Sequence, residues 1–518
     1  MGTSTDTGHT TAQNGTAQGG GNFGVTGNYT PANPNVPTTP DDIGHAPFDT
    51  SGTLDVGKID DYIIEGVHQQ VEWGKLLSRI YYGQRWRYNY WNGCSTGGRQ
   101  GLELATYYGD EFDGLVTGAP AFFHDRFRRS DGWPYLVNEN LVNGGYPSLT
   151  TDLWNATTAL VLQACQANNR SGAVGYLDDP RACAASASLN ICGRPGAQPG
   201  TCLIPGQAVA IDSIWNGPHN AAGYRNWYPV NKGVASPNFT AQAGDVGQVM
   251  SWDWGSTSIP VSALYDDFDR FSSIPPGDIS YENEAAQGAA IPGPPWSLNS
   301  VPLPVASDDL LDSVTPFYGI EEVNLDLVRN HSGRIMMWQG TFDPAIHWFD
   351  SADYYRLVAT HYGKGIADFA GLQPWFRYYH APGAFHCAAG LGPAPTDIFG
   401  QLVAWVENDT APDNVPTSGG TLSTCTGPGV PNASCPGAQP SEALNGTPFT
   451  PPLCPWPSTA VYSGGPGDVA TSYRCIGNLD ANRHALCQMV RTPYGAETSA
   501  TLDYSESGIT AAECPGPQ

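Results

Sequence analysis

Basic residues are scarce in this chain. Lys and Arg number 23 against 49 Asp and Glu, a formal net charge of -26. Phosphate binding needs a basic footprint, so nucleic acid is excluded as a partner. Charged residues of both signs make up only 14%, which excludes a helical bundle. No apolar run is long enough to span a bilayer, so no membrane partner is expected. No apolar stretch follows Met1 in the manner of a secretory leader. No internal repeat marks a solenoid. No cysteines show the short spacing and neighbouring histidines that zinc uses.

What is present is loop-forming and cross-linked. Gly (62), Pro (44) and aromatics (11%) are abundant, and 518 residues suffice for one large domain with an insertion, or for two domains. Twelve cysteines stand at 94, 165, 183, 192, 202, 387, 425, 435, 454, 475, 487 and 514. Cys165/Cys183, Cys192/Cys202, Cys425/Cys435 and Cys454/Cys475 are spaced as local staples. Disulfides on this scale imply an oxidising compartment. Asn-x-Ser/Thr sequons at Asn14, Asn28, Asn155, Asn169, Asn238, Asn330, Asn408, Asn432 and Asn445 agree with an extracellular glycoprotein. The expectation is therefore a secreted protein whose leader was removed or whose true N-terminus is missing.

Along the chain, residues 1–50 are Gly/Thr/Asn-rich, and Gly19-Gly20-Gly21 reads as a flexible loop. Asp60 to Tyr82 reads as a helix with Ile64, Val67, Val71, Leu77 and Ile80 near one face. Trp86 to Trp91 is aromatic and reads as a strand. Gly93-Cys94-Ser95-Thr96-Gly97 follows, and Gly98 to Tyr108 reads as a helix carrying Leu102, Leu104, Ala105 and Tyr107. Strand, Gly-x-Ser-x-Gly, helix is the pattern of a nucleophile elbow, in which a sharp turn holds out a serine hydroxyl and glycine removes the Cβ the turn has no room for. Phe112 to Ala121 is a short buried strand. This alternation implies a mainly parallel sheet with flanking helices.

Residues 122–330 change character: Trp, Pro, Gly and Asn are dense and strand patterns vanish. They read as an inserted lid domain, with a helix near Thr151–Ala167 and a structureless wrap over Pro275–Pro304. Residues 1–121 then form the first part of the core and 331–410 its remainder. There, Gly333 to Gly340 is a strand with Asp343 just past its end, Ile346 to His361 a helix, Arg377 to His380 a last strand and Pro393 to Glu407 a helix. Residues 411–518 read as a cysteine-held C-terminal wrap.

A serine needs a base to take its proton, and the base an acid to orient it. Ser95, Asp343 and His386 supply the chain order Ser, Asp, His on loops after three strands. His219, His331, His347, His361 and His380 read as structural. Asp350 and Asp353 fall within a helix and are expected to face solvent. Cys94 precedes the serine and Cys387 follows the histidine; a bond between them would tie nucleophile to base, and two unrelated cysteines are the alternative.

The nine residues Gly93-Cys-Ser-Thr-Gly-Gly-Arg-Gln-Gly101, with Phe112 to Ala121, Gly340-Thr-Phe-Asp-Pro344 and Phe385-His-Cys387, resemble the tannase/feruloyl esterase family. The resemblance runs from Thr5-Asp-Thr-Gly-His9 to about Cys475. It implies an α/β-hydrolase core with a large lid, Ser95 as nucleophile, His386 as general base and then acid, Asp343 as its orienter, and a Cys94–Cys387 disulfide. It also implies a secreted serine carboxylic ester hydrolase acting on small aromatic esters of ferulate or gallate type, attached to plant polysaccharide or polyphenol. Aromatics such as Trp252, Trp254, Phe268 and Phe271 are candidates to line the pocket, although core packing is the commoner role for any one of them.

Two departures qualify that expectation. The family's lid carries a calcium loop between two cysteines, but in the matching segment Cys165–Cys183, Gln166 and Asn169 stand where carboxylates are expected, and the third aspartate position falls near Val174. Calcium favours several hard oxygen ligands, so no cofactor or metal is expected. The family also carries a Gly-rich oxyanion loop upstream of the Asp-Thr-Gly-His segment, and Gly19–Gly21 come too late to serve. Thr96 N–H supplies one oxyanion donor; the second is expected from a missing upstream segment. The alternatives are a truncated or impaired homologue that only binds phenolic or glycan ligands, and a secreted adhesive protein.

Overall fold

The computed structural model describes residues 64–121, 134–217, 228–234, 322–419 and 450–477, apart from short gaps inside the last four ranges. Trp252, Trp254, Phe268, Phe271, Gly19–Gly21, the stretch Pro275–Pro304 and Cys425, Cys435, Cys487 and Cys514 lie outside the described residues. Contacts divide the chain into two units. The first comprises 1–88, 123–136 and 249–320. Its described part is mainly helix α1 (Gly66–Tyr82), closed by Gly83 at φ 69°, whose N–H returns to Arg79 O. Residues 60–63 of the expected helix are outside the description. Val67 and Val71 are buried, whereas Leu77 and Ile80 are exposed.

The second unit comprises 89–122, 137–248 and 321–518. Four parallel strands run in the order β1 (Tyr90–Cys94), β2 (Gly114–Gly118), β3 (Arg334–Gly340) and β4 (Phe376–Ala381). Helix α2 (Thr96–Tyr107) joins β1 to β2. The insertion contributes α3 (Thr151–Cys165) and α4 (Pro205–Asn216). Helix α5 (Trp348–Tyr362) joins β3 to β4, and α6 (Ile398–Asn408) follows β4. Strands β5 (Ser458–Tyr462) and β6 (Tyr473–Gly477) form a separate antiparallel pair. The fold is an α/β-hydrolase core. Parallel strands are covered on both faces, so they read as near-continuous apolar runs; all seven residues of β3 except Arg334 are buried. Val116, Met336, Trp338 and Tyr379 of the sheet pack with Leu402 and Trp405 of α6.

Several boundaries differ from expectation. The first strand lies at Tyr90–Cys94, later than Trp86–Trp91, because its parallel register runs from Tyr90 opposite Gly114 to Cys94 opposite Gly118. Tyr107 points outward, 57% exposed, while Leu102, Leu104 and Ala105 are buried. Helix α6 starts only at Ile398, where Asp397 accepts the Gly400 N–H as an N-cap; Ala394–Pro395 instead pairs with Thr417–Ser418. Helix α4 was not foreseen, although Pro205 at its first position is a start signal.

The expectation that Asp350 and Asp353 face solvent is corrected: both are buried. The insertion covers this side of α5. Tyr228 donates its hydroxyl to Asp353 Oδ2 at 2.9 Å, and Arg356 Nε donates to Asp353 Oδ1 at 2.7 Å.

A second buried pair lies in α2. Arg99 Nη1 meets Glu103 Oε1 at 2.5 Å, and both side chains are 1% exposed. Burial pushes the Glu103 carboxyl up to about 7, against the opposing pull of Arg99. A raised folded-state pKa means that the folded form holds its proton longer than the unfolded form. The stability it confers is complete below the unfolded value of 4.5 and is lost as pH rises through about 7. Glu103→Gln should therefore flatten the fall in melting temperature between those two pH values, measured by thermal scans across that window.

Candidate active site

The elbow is built by close approach. A Cβ on Gly93 would lie 2.2 Å from Gly97 O, and one on Gly98 would lie 2.3 Å from Gly118 O. Either contact is impossible without moving backbone, so α2 can start beside β2 only with glycine at those positions. Gly97, the second glycine of the motif, is different: among the described residues a Cβ there meets nothing within 4 Å. The packing constraint expected of it falls on Gly98. The Gly97 carbonyl instead accepts Trp91 Nε1–H at 2.8 Å.

Between these glycines Ser95 adopts φ 65°, ψ -126°. A positive φ on a residue with a Cβ costs roughly 1–3 kcal/mol. The turn is held by Ser95 N–H to Gly118 O at 2.9 Å and by Arg99 N–H to Ser95 O at 3.0 Å. Thr96 opens α2, so its N–H is among those that helical bonding leaves over.

The other two candidates arrive from β3 and β4. Asp343 is 1% exposed. Its Oδ2 lies 2.7 Å from His386 Nδ1, and His386 Nε2 lies 2.7 Å from Ser95 Oγ. The sequence candidates Ser95, His386 and Asp343 thus stand in one hydrogen-bonded line. Asp343 Oδ2 also accepts Gln339 Nε2–H at 2.8 Å, and Oδ1 accepts the Ile346 N–H at 3.0 Å. Accepting from Gln339 and Ile346, the carboxylate leaves His386 to donate from Nδ1, which turns the Nε2 lone pair toward the serine hydroxyl.

β1 and β4 are the outer strands of the described sheet, three spacings of ~4.8 Å apart. The loop after β4 must therefore cross the end of β3 to reach Ser95. It does so over Gly340, where a Cβ would lie 2.4 Å from Ala384 O. The crossing is tied by Phe342 N–H to Ala384 O at 3.0 Å and by Gly383 N–H to Thr341 Oγ1 at 2.9 Å. It is locked by a Cys94–Cys387 disulfide, Cα–Cα 6.0 Å. Cys165–Cys183, Cys192–Cys202 and Cys454–Cys475 are also bonded.

Among the described residues, the other candidate histidines sit elsewhere. His380 packs its ring among Trp348, Tyr378 and Trp456, His347 is buried at the start of α5, and His219 is outside the described residues. Gln339 was missed by sequence reading. It is a buried polar residue in an otherwise apolar strand, four residues before the acid, and that oddity was the available signal. Its Nε2 also donates to Ile346 O at 3.0 Å, and its Oε1 accepts from Ser351 Oγ at 3.2 Å.

Comparison with known proteins gives the family. The family described as "Tannase and feruloyl esterase" matches residues 8–476. The chain belongs to the tannase and feruloyl esterase family. It is an ester hydrolase. A probable feruloyl esterase of Arthroderma benhamiae is 26% identical over 435 residues, covering 82% of this chain and 70% of that protein. A mono(2-hydroxyethyl) terephthalate hydrolase of Piscinibacter sakaiensis is 27% identical, covering 84% and 70%. In fold, the chain is similar to feruloyl esterase B from Aspergillus oryzae, with a TM-score of 0.59, 20% identity and coverage of 82% and 76%. A tannin acyl hydrolase from Aspergillus niger gives 0.62, 19%, and 87% and 74%.

Two variants probe this frame. Gln339→Leu should lower the rate of ester hydrolysis ~10-fold or more by loosening the carboxylate, in steady-state assays. Cys94→Ser with Cys387→Ser should cost about 2–4 kcal/mol of stability, in denaturant melts without reductant.

Proposed function

We propose that this chain is a serine esterase that cleaves phenolic acid esters through an acyl-serine intermediate. The observation that carries the reading is the unbroken line from Ser95 Oγ through His386 to Asp343, 2.7 Å at each step. His386 takes the Ser95 proton at Nε2 as Oγ attacks the ester carbonyl. Asp343 keeps the imidazole in the Nδ1–H tautomer and offsets its positive charge. The carbonyl oxygen, now negative, takes a hydrogen bond from the Thr96 N–H at the start of α2, where the helix dipole also favours anions. His386 returns the proton to the departing alcohol, and water repeats the sequence on the acyl-serine. The ordered line of donors and acceptors favours this reading over a protein that only binds phenolic or glycan ligands.

Ferulate-type or gallate-type esters are the proposed substrates, their alcohol part belonging to a plant polysaccharide or polyphenol. The names of the relatives support this class. Four disulfides among the described residues support an extracellular setting, and no helix among those residues is long and apolar enough to cross a membrane. Of the nine sequons, Asn330 and Asn408 are exposed and suit glycans, whereas Asn155 lies half-buried within α3.

The family's calcium is not part of the proposal. Around the Cys165–Cys183 staple, the sequence offers Gln166, Asn168, Asn169, Asp178 and Asp179. Two carboxylates among five side chains fit calcium poorly, and no step of the reaction passes through a metal.

A panel of methyl ferulate, methyl gallate and a terephthalate monoester, with and without chelator, tests the reading. One of the first two esters should be cleaved fastest, at a rate that chelation leaves unchanged. Ser95→Ala should abolish cleavage and labelling by a fluorophosphonate; retained turnover in that variant removes the serine mechanism.

A further inference from the structure

The insertion reaches the acid loop through Asn231, a residue in no helix or strand. Asn231 is 3% exposed. Its Nδ2 donates to Thr341 O at 2.6 Å, and its Oδ1 accepts from Trp348 Nε1 at 3.0 Å. Thr341 lies two residues before Asp343, and Trp348 opens α5 five residues after it. The carboxamide therefore bridges the two ends of the loop that carries the acid. Thr341 is at the same time bonded to the histidine loop: its Oγ1 accepts from Gly383 N–H at 2.9 Å and its N–H donates to Ala381 O at 3.0 Å.

Asn231 is itself held firmly. Three residues before it, Tyr228 donates to Asp353 Oδ2 at 2.9 Å and stacks on Phe349 with ring centroids 5.5 Å apart. Three residues after it, Val234 O accepts from Trp154 Nε1 of α3 at 2.7 Å. Lys232 Nζ donates to Cys183 O at 3.0 Å and Ala185 O at 2.9 Å, beside the Cys165–Cys183 disulfide. The segment 228–234 is thus pinned to both the insertion and α5. An asparagine suits the place because it offers one donor and one acceptor on a short, neutral group. A carboxylate could not donate to Thr341 O and would bring a second negative charge near Asp343.

We infer that Asn231 is a positioning residue for Asp343. It sets the separation between Thr341 and Trp348, and so the place at which the carboxylate meets His386 Nδ1. Through it the insertion contributes to the alignment of the reacting groups. The inference rests on the Ser95–His386–Asp343 mechanism proposed above.

The test uses the full chain with Asn231→Asp, Asn231→Ala, Trp348→Phe and Ser95→Ala. Substrate is methyl ferulate or methyl gallate, whichever the unaltered chain cleaves faster. Asn231→Asp keeps size and the acceptor for Trp348 but loses the donor to Thr341 O. Trp348→Phe keeps an aromatic ring and removes the indole N–H together with the second ring of a buried side chain. Displacing a reacting group by ~1 Å costs on the order of 10²-fold, so the Asn231 variants should lose roughly 10- to 100-fold in kcat with KM little changed. Trp348→Phe should move kcat in the same direction by less. The downfield proton resonance of the His386 Nδ1–H bond should weaken or shift in each, a change that general loosening of the insertion does not produce. A folded Asn231→Asp protein with unaltered kcat and an unaltered downfield resonance overturns the inference. If neither Asn231 variant folds, Trp348→Phe decides by the same two readouts. Full turnover by Ser95→Ala overturns the underlying mechanism, and is told apart because it occurs with Asn231 intact.

Discussion

The arrangement depends on bringing together two loops that the sheet holds apart. Ser95 follows one outer strand of the described sheet and His386 the other. Neighbouring parallel strands cannot be drawn closer than their hydrogen bonds allow, so the loop after β4 has to lie down across the end of β3. Gly340 leaves the space, Thr341 and Phe342 supply backbone and hydroxyl partners, and the Cys94–Cys387 disulfide fixes the far end. A covalent tie there is effective because it constrains two points far apart in sequence at the position where the geometry must be most exact.

Around that crossing, buried polar groups are arranged so that each satisfies another. Gln339 uses both its N–H groups and its carbonyl. Asp343 accepts through both oxygens. Unpaired buried polar atoms are costly, so such a network has few alternative arrangements of similar energy. Asp343 is held in place by this satisfaction, and hydrogen-bonded aromatics such as Trp348 and Tyr228 extend the network outward into the insertion.

The sequence made the three members of the Ser95–His386–Asp343 line legible and left their supports hidden. Ser95, Asp343 and His386 could be read because their order and their places after strands follow from general rules of open α/β sheets. The Cys94–Cys387 pair was legible because one cysteine adjoins Ser95 and the other adjoins His386. Strand positions were read well where runs were apolar, as at β3, and shifted where aromatic residues merely led into a strand, as before Tyr90. Gln339 and Asn231 carried no motif: one is a polar residue inside a strand, the other a lone asparagine in a proline-rich insertion. Their meaning lies in distances to residues remote in sequence, which periodicity cannot report. The burial of Asp350 and Asp353 was missed for the same reason, since the segment that covers them comes from over a hundred residues earlier.

The backbone at Ser95 has a longer-term consequence. Its left-handed conformation opposes folding and serves only to present the hydroxyl. A glycine there would relax the turn, so a search for heat-resistant variants that ignored turnover would tend to discard the serine itself. Directed evolution of this enzyme for endurance therefore has to select on activity at every round, with improvements sought in elements remote from the turn.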